Sequence, residues 1–344
     1  MTEFSNGARW IARSVARCLI NADFAAILSI ERRSARSTMK IVAAADFDLE
    51  KTLNCGQVFH WEKCDAGFVG APGTKAVYVE QRGDELFFAG APEKVIARYF
   101  SLDHPLAEIC AAFPSDPAMM AARDFCRGLR IIRQPRWECL ATFVTSSMKQ
   151  VAHIRQISLA LRKRFGESKK ILGHEIFTFP SAERIGALTE PELRACALGY
   201  RAKNLLATAR LVASGEANIE EWSKLPDESL RERLCELPGV GAKVANCVML
   251  FAYERLRAFP IDVWIERVLK QRYFPRKRKV TAQQLRGFCD RYFGEHGGYA
   301  QQYLFHHARK GGTAVVSPGD VRYDLPVKRS TRLPRNERRK EKKP

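Results

Sequence analysis

Residues 237–247 read Leu-Pro-Gly-Val-Gly-Ala-Lys-Val-Ala-Asn-Cys, and no other stretch narrows the fold so far. The apolar period of one helix closes at Leu237, and Pro238 to Gly241 cannot continue it. A second helix resumes near Ala242, so the segment predicts two helices joined by a tight hairpin. Gly239 and Gly241 permit positive φ and let the backbone come close to a ligand. The unsatisfied amides at the start of the second helix, with the positive end of its dipole, suit a phosphate. Gly239, Val240 and Gly241 are therefore expected to grip a nucleic-acid backbone without reading its sequence. The same glycines also serve plain helix packing, so the hairpin alone leaves both readings open.

Two residues add chemistry to it. Lys243 falls in the first turn of the second helix, where the dipole disfavours a positive charge and favours a neutral, nucleophilic amine. Asp262, in Phe-Pro-Ile-Asp-Val-Trp, follows an apolar run and precedes a helix expected from about Val263 to Tyr273. It is a natural helix cap and also a carboxylate able to serve Lys243. A helix of about 13 residues at about 1.5 Å each carries the chain roughly 20 Å away. An extended link of about six residues at about 3.3 Å each brings it back the same distance. Asp262 is thus expected beside Lys243.

The chain of 344 residues carries a formal charge of +19, an excess that points to a polyanionic partner or to a merely solvated basic surface. Ten scattered cysteines form no CxxC pair and no zinc-like cluster, so neither a metal nor a disulfide framework is expected. No apolar run is long enough to span a membrane. Strand-like segments occur at Gly56–Trp61, Lys75–Gln81 and Glu85–Ala89, with a helix from about Glu93 to Tyr99. From Trp137 to Phe305 the pattern is helical almost throughout, with segments such as Glu138–Ser146, Val151–Phe165, Glu190–Leu198, Ala202–Ser214 and Glu228–Leu234. The expectation is an α+β chain: an antiparallel sheet domain with helices over 39–133, then an all-α domain over 134–315. Residues 1–38 are expected to lie outside the fold, with Met39 as an alternative start. An Arg-bearing amphipathic stretch from Ala8 to Ile30 also suits a transit peptide, but Glu3, Asp23 and Glu31 weigh against it. Residues 322–344 hold ten Lys or Arg against three acids and read as a disordered basic tail.

The hairpin, Lys243 and Asp262 together resemble the helix-hairpin-helix DNA glycosylase superfamily, most of all its members that excise 8-oxoguanine. The likeness extends from about Phe47 to Arg309. It includes Cys55–Trp61, Glu138-Cys139-Leu140 leading to Ser146-Ser147, Leu198–Ala202 and Ala300–Phe305. It implies a sheet domain joined to a helical domain, a monomer without a cofactor, and a partner in double-stranded DNA carrying a damaged base. The expected setting is intracellular, in the nucleoid of a bacterium or the nucleus of a eukaryote. An iron–sulfur cluster, found in some relatives, is excluded because only Cys289 follows the hairpin helix.

The implied chemistry is base excision followed by strand cleavage. The damaged nucleotide swings out of the duplex, Lys243 attacks its C1′, and Asp262 stabilises the cationic sugar and helps the lysine lose its proton. The resulting Schiff base allows β-elimination. By the same resemblance, Gly56 offers its carbonyl to N7–H of 8-oxoguanine, Cys247 and Phe305 sandwich the base, and Gln301 reads its Watson–Crick edge. Tyr200 is the expected wedge and Arg201 the reader of the opposite cytosine. Three positions depart from the family. Met148-Lys149-Gln150 replaces an asparagine run, His153 stands for an arginine, and Trp264 stands for a histidine. Lys149 and His153 therefore enter as DNA contacts of unfixed role, and the opposite-base preference stays open. Two other readings remain. One is a glycosylase for another lesion, such as an alkylated base. The other is a non-catalytic DNA-binding module, which would need the glycines but neither Lys243 nor Asp262.

Overall fold

The computed structural model describes residues 39–147, 149–277 and 279–311; the expectations for residues 1–38, Met148 and the tail over 322–344 lie outside them. The N-terminal part is a five-stranded antiparallel sheet built from β1 (Lys40–Ala43), β2 (Glu62–Cys64), β3 (Gly67–Gly70), β4 (Val77–Arg82) and β5 (Glu85–Ala89). Their spatial order is β1-β5-β4-β3-β2. The two-residue turn Gly83-Asp84 closes β4 onto β5 with Arg82 opposite Glu85, and Gly83 takes φ +56°. Helix α1 (Leu49–Asn54) precedes β2, its Asp48 cap accepting from Lys51 N at 2.8 Å. Helices α2 (Glu93–Tyr99), α3 (Leu106–Ala111) and α4 (Pro117–Phe125) follow the sheet.

The helical part contains α5 (Arg136–Thr145), α6 (Val151–Phe165), α7 (Ala182–Gly186), α8 (Glu190–Arg194), α9 (Arg201–Ala213) and α10 (Asp227–Cys235). It continues with α11 (Ala242–Ala252), α12 (Val263–Val268), α13 (Ala282–Tyr292) and α14 (Gly297–Lys310). Past α12 the chain widens into a π-type turn over Leu269–Tyr273, which completes the helix expected there. Helix α11 has 11 residues, two fewer than the spacing argument used, and the link to Asp262 is correspondingly longer.

Two sequence expectations need correction. Gly56–Trp61 is not a strand: Gly56 at φ +89° breaks the extended run, and the backbone bonds are taken over by glutamine side chains. Gln57 Nε2 donates to Thr52 O and Arg130 O at 3.0 and 2.8 Å, while its Oε1 accepts from Ile132 N at 2.8 Å. Gln134 Nε2 in turn donates to Gln57 O at 2.6 Å. The other correction is a hairpin inside the nominally helical region, β6 (Ser168–Ile171) with β7 (His174–Phe177). Its turn residues Leu172 and Gly173 both have positive φ, the tight geometry that two-residue hairpins favour. The leucine in a position usually given to Asn or Gly hides that turn from sequence. The helix expected over Glu190–Leu198 also ends early, at Arg194.

The apolar core lies in two main bodies. One fills the sheet with Leu53, Trp61, Val79, Phe88 and Phe100. The larger one gathers α11 and α14 with residues from α3 and α4, and it includes Cys55 and Phe59. A buried ionic knot ties these parts together. The Glu138 carboxylate on α5 pairs with Arg162 on α6, lies 3.1 Å from His60 Nδ1 and accepts from Gly73 N at 3.1 Å. Arg162 also donates to Ala71 O at 2.9 Å. Burial beside Arg162 holds His60 well below the usual imidazole range, so its ring stays neutral. Glu138→Gln leaves Arg162 charged and poorly matched in a dry site. The expected cost is about 3–5 kcal/mol in urea unfolding, the range for breaking a buried pair.

Candidate active site

The hairpin forms as expected, and its two glycines serve different ends. Gly239 takes φ +81°, and a Cβ there would lie 2.9 Å from the Asn204 side chain, so the turn needs glycine both for its backbone and to nest against α9. Thr208 Oγ1 on α9 fastens the turn by donating to Pro238 O at 3.0 Å. Gly241 is the N-cap of α11, with open space where a Cβ would stand and no side chain capping the helix. Val240 is buried and its N–H bonds Leu237 O at 3.0 Å, so it shapes the turn and offers no amide outward.

One turn into α11, the Lys243 amine reaches inward. Its Nζ lies 3.4 Å from Ser146 Oγ at the end of α5 and 5.0 Å from the Phe143 ring centroid. Phe143 is itself braced between Phe59 and Phe251. The lysine also shares a hydrogen bond with the buried Cys247 thiol one turn further on. Burial pushes that thiol up, leaving it protonated and apolar in character.

Asp262 caps α12, accepting from Ile265 N at 2.8 Å. Burial pushes its carboxyl above the usual carboxylate range. The Ile265 N–H, the Lys243 charge, the Trp264 N–H and the Arg309 charge pull the other way, in falling order. Lys243 is therefore close enough to act on Asp262 electrostatically, although among the described residues the two form no direct ion pair. The back-folding argued from the helix and link lengths is realised.

A second group of expected residues meets at α14. Gln301 and Phe305 are buried one turn apart, and the Gln301 Oε1 has no hydrogen-bond partner. A Cβ on Gly56 would lie 3.0 Å from Phe305 Cε1, so the positive-φ glycine is pressed against that ring. Gln302 Nε2 holds this segment by donating to Cys55 O at 3.0 Å. Arg309 completes the face: its guanidinium lies 5.1 Å from the Phe305 ring centroid and acts on Asp262. Sequence reasoning missed Arg309 and Ser146. Arg309 is legible afterwards as the third member of a four-residue period, after Gln301 and Phe305.

Of the DNA-contact candidates, Tyr200 is 54% exposed at the start of α9 and Arg201 is buried beneath it. The Arg201 Nε donates to Ser147 O at 2.6 Å and Nη1 to Leu198 O at 3.2 Å, which braces the turn after α5. His153 is exposed on α6 and Lys149 half-buried just before it. Among the described residues, no group of three or more His, Cys, Asp or Glu could hold a metal ion, and no helix is long and apolar enough to cross a membrane.

Comparison with known proteins decides the ancestry. Residues 40–140 match the 8-oxoguanine DNA glycosylase N-terminal domain, and residues 142–291 match the HhH-GPD superfamily of base excision DNA repair proteins. An N-glycosylase/DNA lyase of Saccharomyces cerevisiae is 30% identical over 262 residues, covering 66% of this chain and 69% of its own length. The chain belongs to the 8-oxoguanine DNA glycosylase family of the HhH-GPD superfamily. A probable N-glycosylase/DNA lyase of Methanothermobacter thermautotrophicus is 28% identical and is aligned over 96% of its length, against 79% of this chain. The 8-oxoguanine glycosylase/lyase of Clostridium acetobutylicum superposes with a TM-score of 0.74 at 30% identity, over 79% of this chain and 98% of that one. That structure contains duplex DNA with cytosine opposite 8-oxoguanine. The sheet-then-helices architecture is the one that membership in this family implies.

Because burial raises the Asp262 pKa in the folded protein, the ionised carboxylate destabilises the fold. That penalty is complete above the folded value and vanishes as pH falls below the unfolded value of about 4. Asp262→Asn keeps a competent helix cap and removes the buried charge. It is expected to raise the melting temperature at pH 7, with the gain fading towards pH 4 in thermal scans.

Proposed function

We propose that this chain is a bifunctional DNA glycosylase and AP lyase that removes 8-oxoguanine from duplex DNA and then breaks the strand. The observation that carries the reading is the Lys243 amine held over Phe143 within electrostatic reach of a buried Asp262, unblocked by a direct ion pair. A module that only gripped DNA would have no use for a buried carboxylate whose ionisation costs stability.

The chemistry follows from what each group can do. With the damaged nucleotide swung out of the stack, the Lys243 amine gives up a proton and attacks C1′, and the N-glycosidic bond breaks towards the base, which takes a proton up. Asp262 carries negative charge where the sugar becomes cationic, and the low dielectric around it strengthens that interaction. The lysine adduct opens to a Schiff base. Loss of a C2′ proton then expels the 3′ phosphate. Cys247, a protonated thiol, offers a soft face to one side of the purine, and Phe305 covers the other. The Gly56 carbonyl accepts from N7–H, a hydrogen that guanine lacks, and the unpartnered Gln301 Oε1 meets the amide edge. Outside the pocket, the free amides at Gly241 hold a phosphate, Tyr200 fills the gap left in the stack, and Arg201, Lys149 and His153 flank the opposite strand. The sheet-bearing part over 39–133 and the glycosylase part over 134–315 work as two domains of one enzyme, and its place is wherever cellular DNA lies, nucleoid or nucleus.

Borohydride added during turnover of a duplex containing 8-oxoguanine is expected to fix the protein to DNA covalently. Lys243→Gln is expected to abolish that adduct and slow excision by on the order of 10³-fold or more. An adduct that survives the substitution removes Lys243 as nucleophile. Cleavage of duplexes carrying 8-oxoguanine opposite each of the four bases measures the partner preference that Lys149, His153 and Trp264 leave open.

A further inference from the structure

The family resemblance accounts for Gln301 and Phe305 on the buried face of α14, but not for the residue one turn beyond them. Arg309 shares their face by its four-residue spacing. Its guanidinium lies against the Phe305 ring, and its Nη1 is within 3.0 Å of the point where a Gly56 Cβ would stand. That Nη1 is buried without any hydrogen-bond partner. A charged donor left unsatisfied in a dry wall is costly, and such a group is retained where a ligand supplies the acceptor. Phe305 and Val151 also border that point beside Gly56, so Nη1 sits among the residues proposed to hold the base rather than on the exposed surface near Tyr200.

We propose that Arg309 is a specificity-determining residue whose Nη1 donates a hydrogen bond to a carbonyl oxygen flanking N7 of the flipped purine. The inference rests on the function proposed above. Gly56 and Arg309 then form an acceptor and a donor side by side, matched to the N7–H and adjacent carbonyl of an oxidised purine. The guanidinium lies 5.1 Å from the Phe305 ring centroid, so the donor is held near the ring before the base arrives. Lysine could supply the charge but not the planar fork.

The test separates a step in which the base is present from one in which it is not. Single-turnover excision from a duplex with 8-oxoguanine opposite cytosine is compared with strand cleavage at a preformed abasic site. The proteins are wild type, Arg309→Met and Arg309→Lys; methionine keeps apolar packing on Phe305 and lysine keeps the charge. Excision by both variants is expected to fall roughly 10- to 100-fold, the loss of one charge-assisted bond. Abasic-site cleavage is expected to fall several-fold less than excision, because no base is left to hold and only the pull of Arg309 on Asp262 is lost. An equal fall in both reactions overturns the proposal, since Arg309 would then act through Asp262, the DNA backbone or the fold. Unchanged excision in both variants overturns it as well. A wild type that cleaves abasic sites but leaves 8-oxoguanine in place overturns the proposed substrate itself. That outcome is read before any variant is made.

Discussion

A carboxylate that burial disfavours is the constraint around which this molecule is arranged. In the proposed mechanism Asp262 works as an ionised carboxylate beside a developing sugar cation, yet the apolar surroundings push its pKa up. The counterweights come from three elements. The amides of α12 supply two of them, Lys243 on α11 a third and Arg309 on α14 a fourth. None is a full ion pair. Under the proposed mechanism a tight Lys243–Asp262 contact would secure both charges and disable both groups, because a paired ammonium cannot attack. The looser arrangement keeps the amine available at the expense of stability, the exchange expected where a site is shaped for reaction rather than for folding.

The second constraint is the placing of one peptide. Gly56 has to bring its backbone against Phe305, and a regular strand cannot do so because its carbonyls would be consumed by a neighbouring strand. The chain leaves the sheet at this point and is held by the side chains of Gln57, Gln134 and Gln302. Two of these amides satisfy the carbonyls of Cys55 and Gln57, and the Gln57 side chain ties the segment to the backbone of Thr52, Arg130 and Ile132. The polar core between sheet and helices thus holds the Gly56 segment and leaves Gly56 against Phe305 and Arg309.

How much of this was legible in sequence depends on range. The hairpin, the cap at Asp262 and the long helices α6 and α9 are local, written in glycines, cap residues and apolar spacing, and the structure has them within a residue or two. The approach of Lys243 to Asp262 is non-local but follows from helix rise and link length, and it survives a helix two residues shorter than assumed. What failed was local pattern overruled by distant partners. Gly56–Trp61 carries strand residues but bonds to glutamine side chains from elsewhere in the chain, and β6–β7 turns through a leucine at positive φ. Arg309 escaped notice because a cation near the end of a helix is ordinarily a solvated partner for the helix dipole. Only the folded structure shows its guanidinium against Phe305.

Trp264 shows how a departure from the family pattern reshapes the mouth of the site without touching its chemistry. It directly follows Val263 in the first turn of α12, 43% and 73% exposed respectively, so an apolar step stands beside the carboxylate. The Arg267 guanidinium lies 5.5 Å from the indole ring centroid, holding a cation against that step. Where relatives carry a histidine, an imidazole could gain a proton near neutral pH and change the charge next to Asp262. The indole cannot. Its backbone N–H still supports the carboxylate, while its side chain offers a flat face to whatever strand lies across the opening. The field on Asp262 is then set from within, by Lys243 and Arg309.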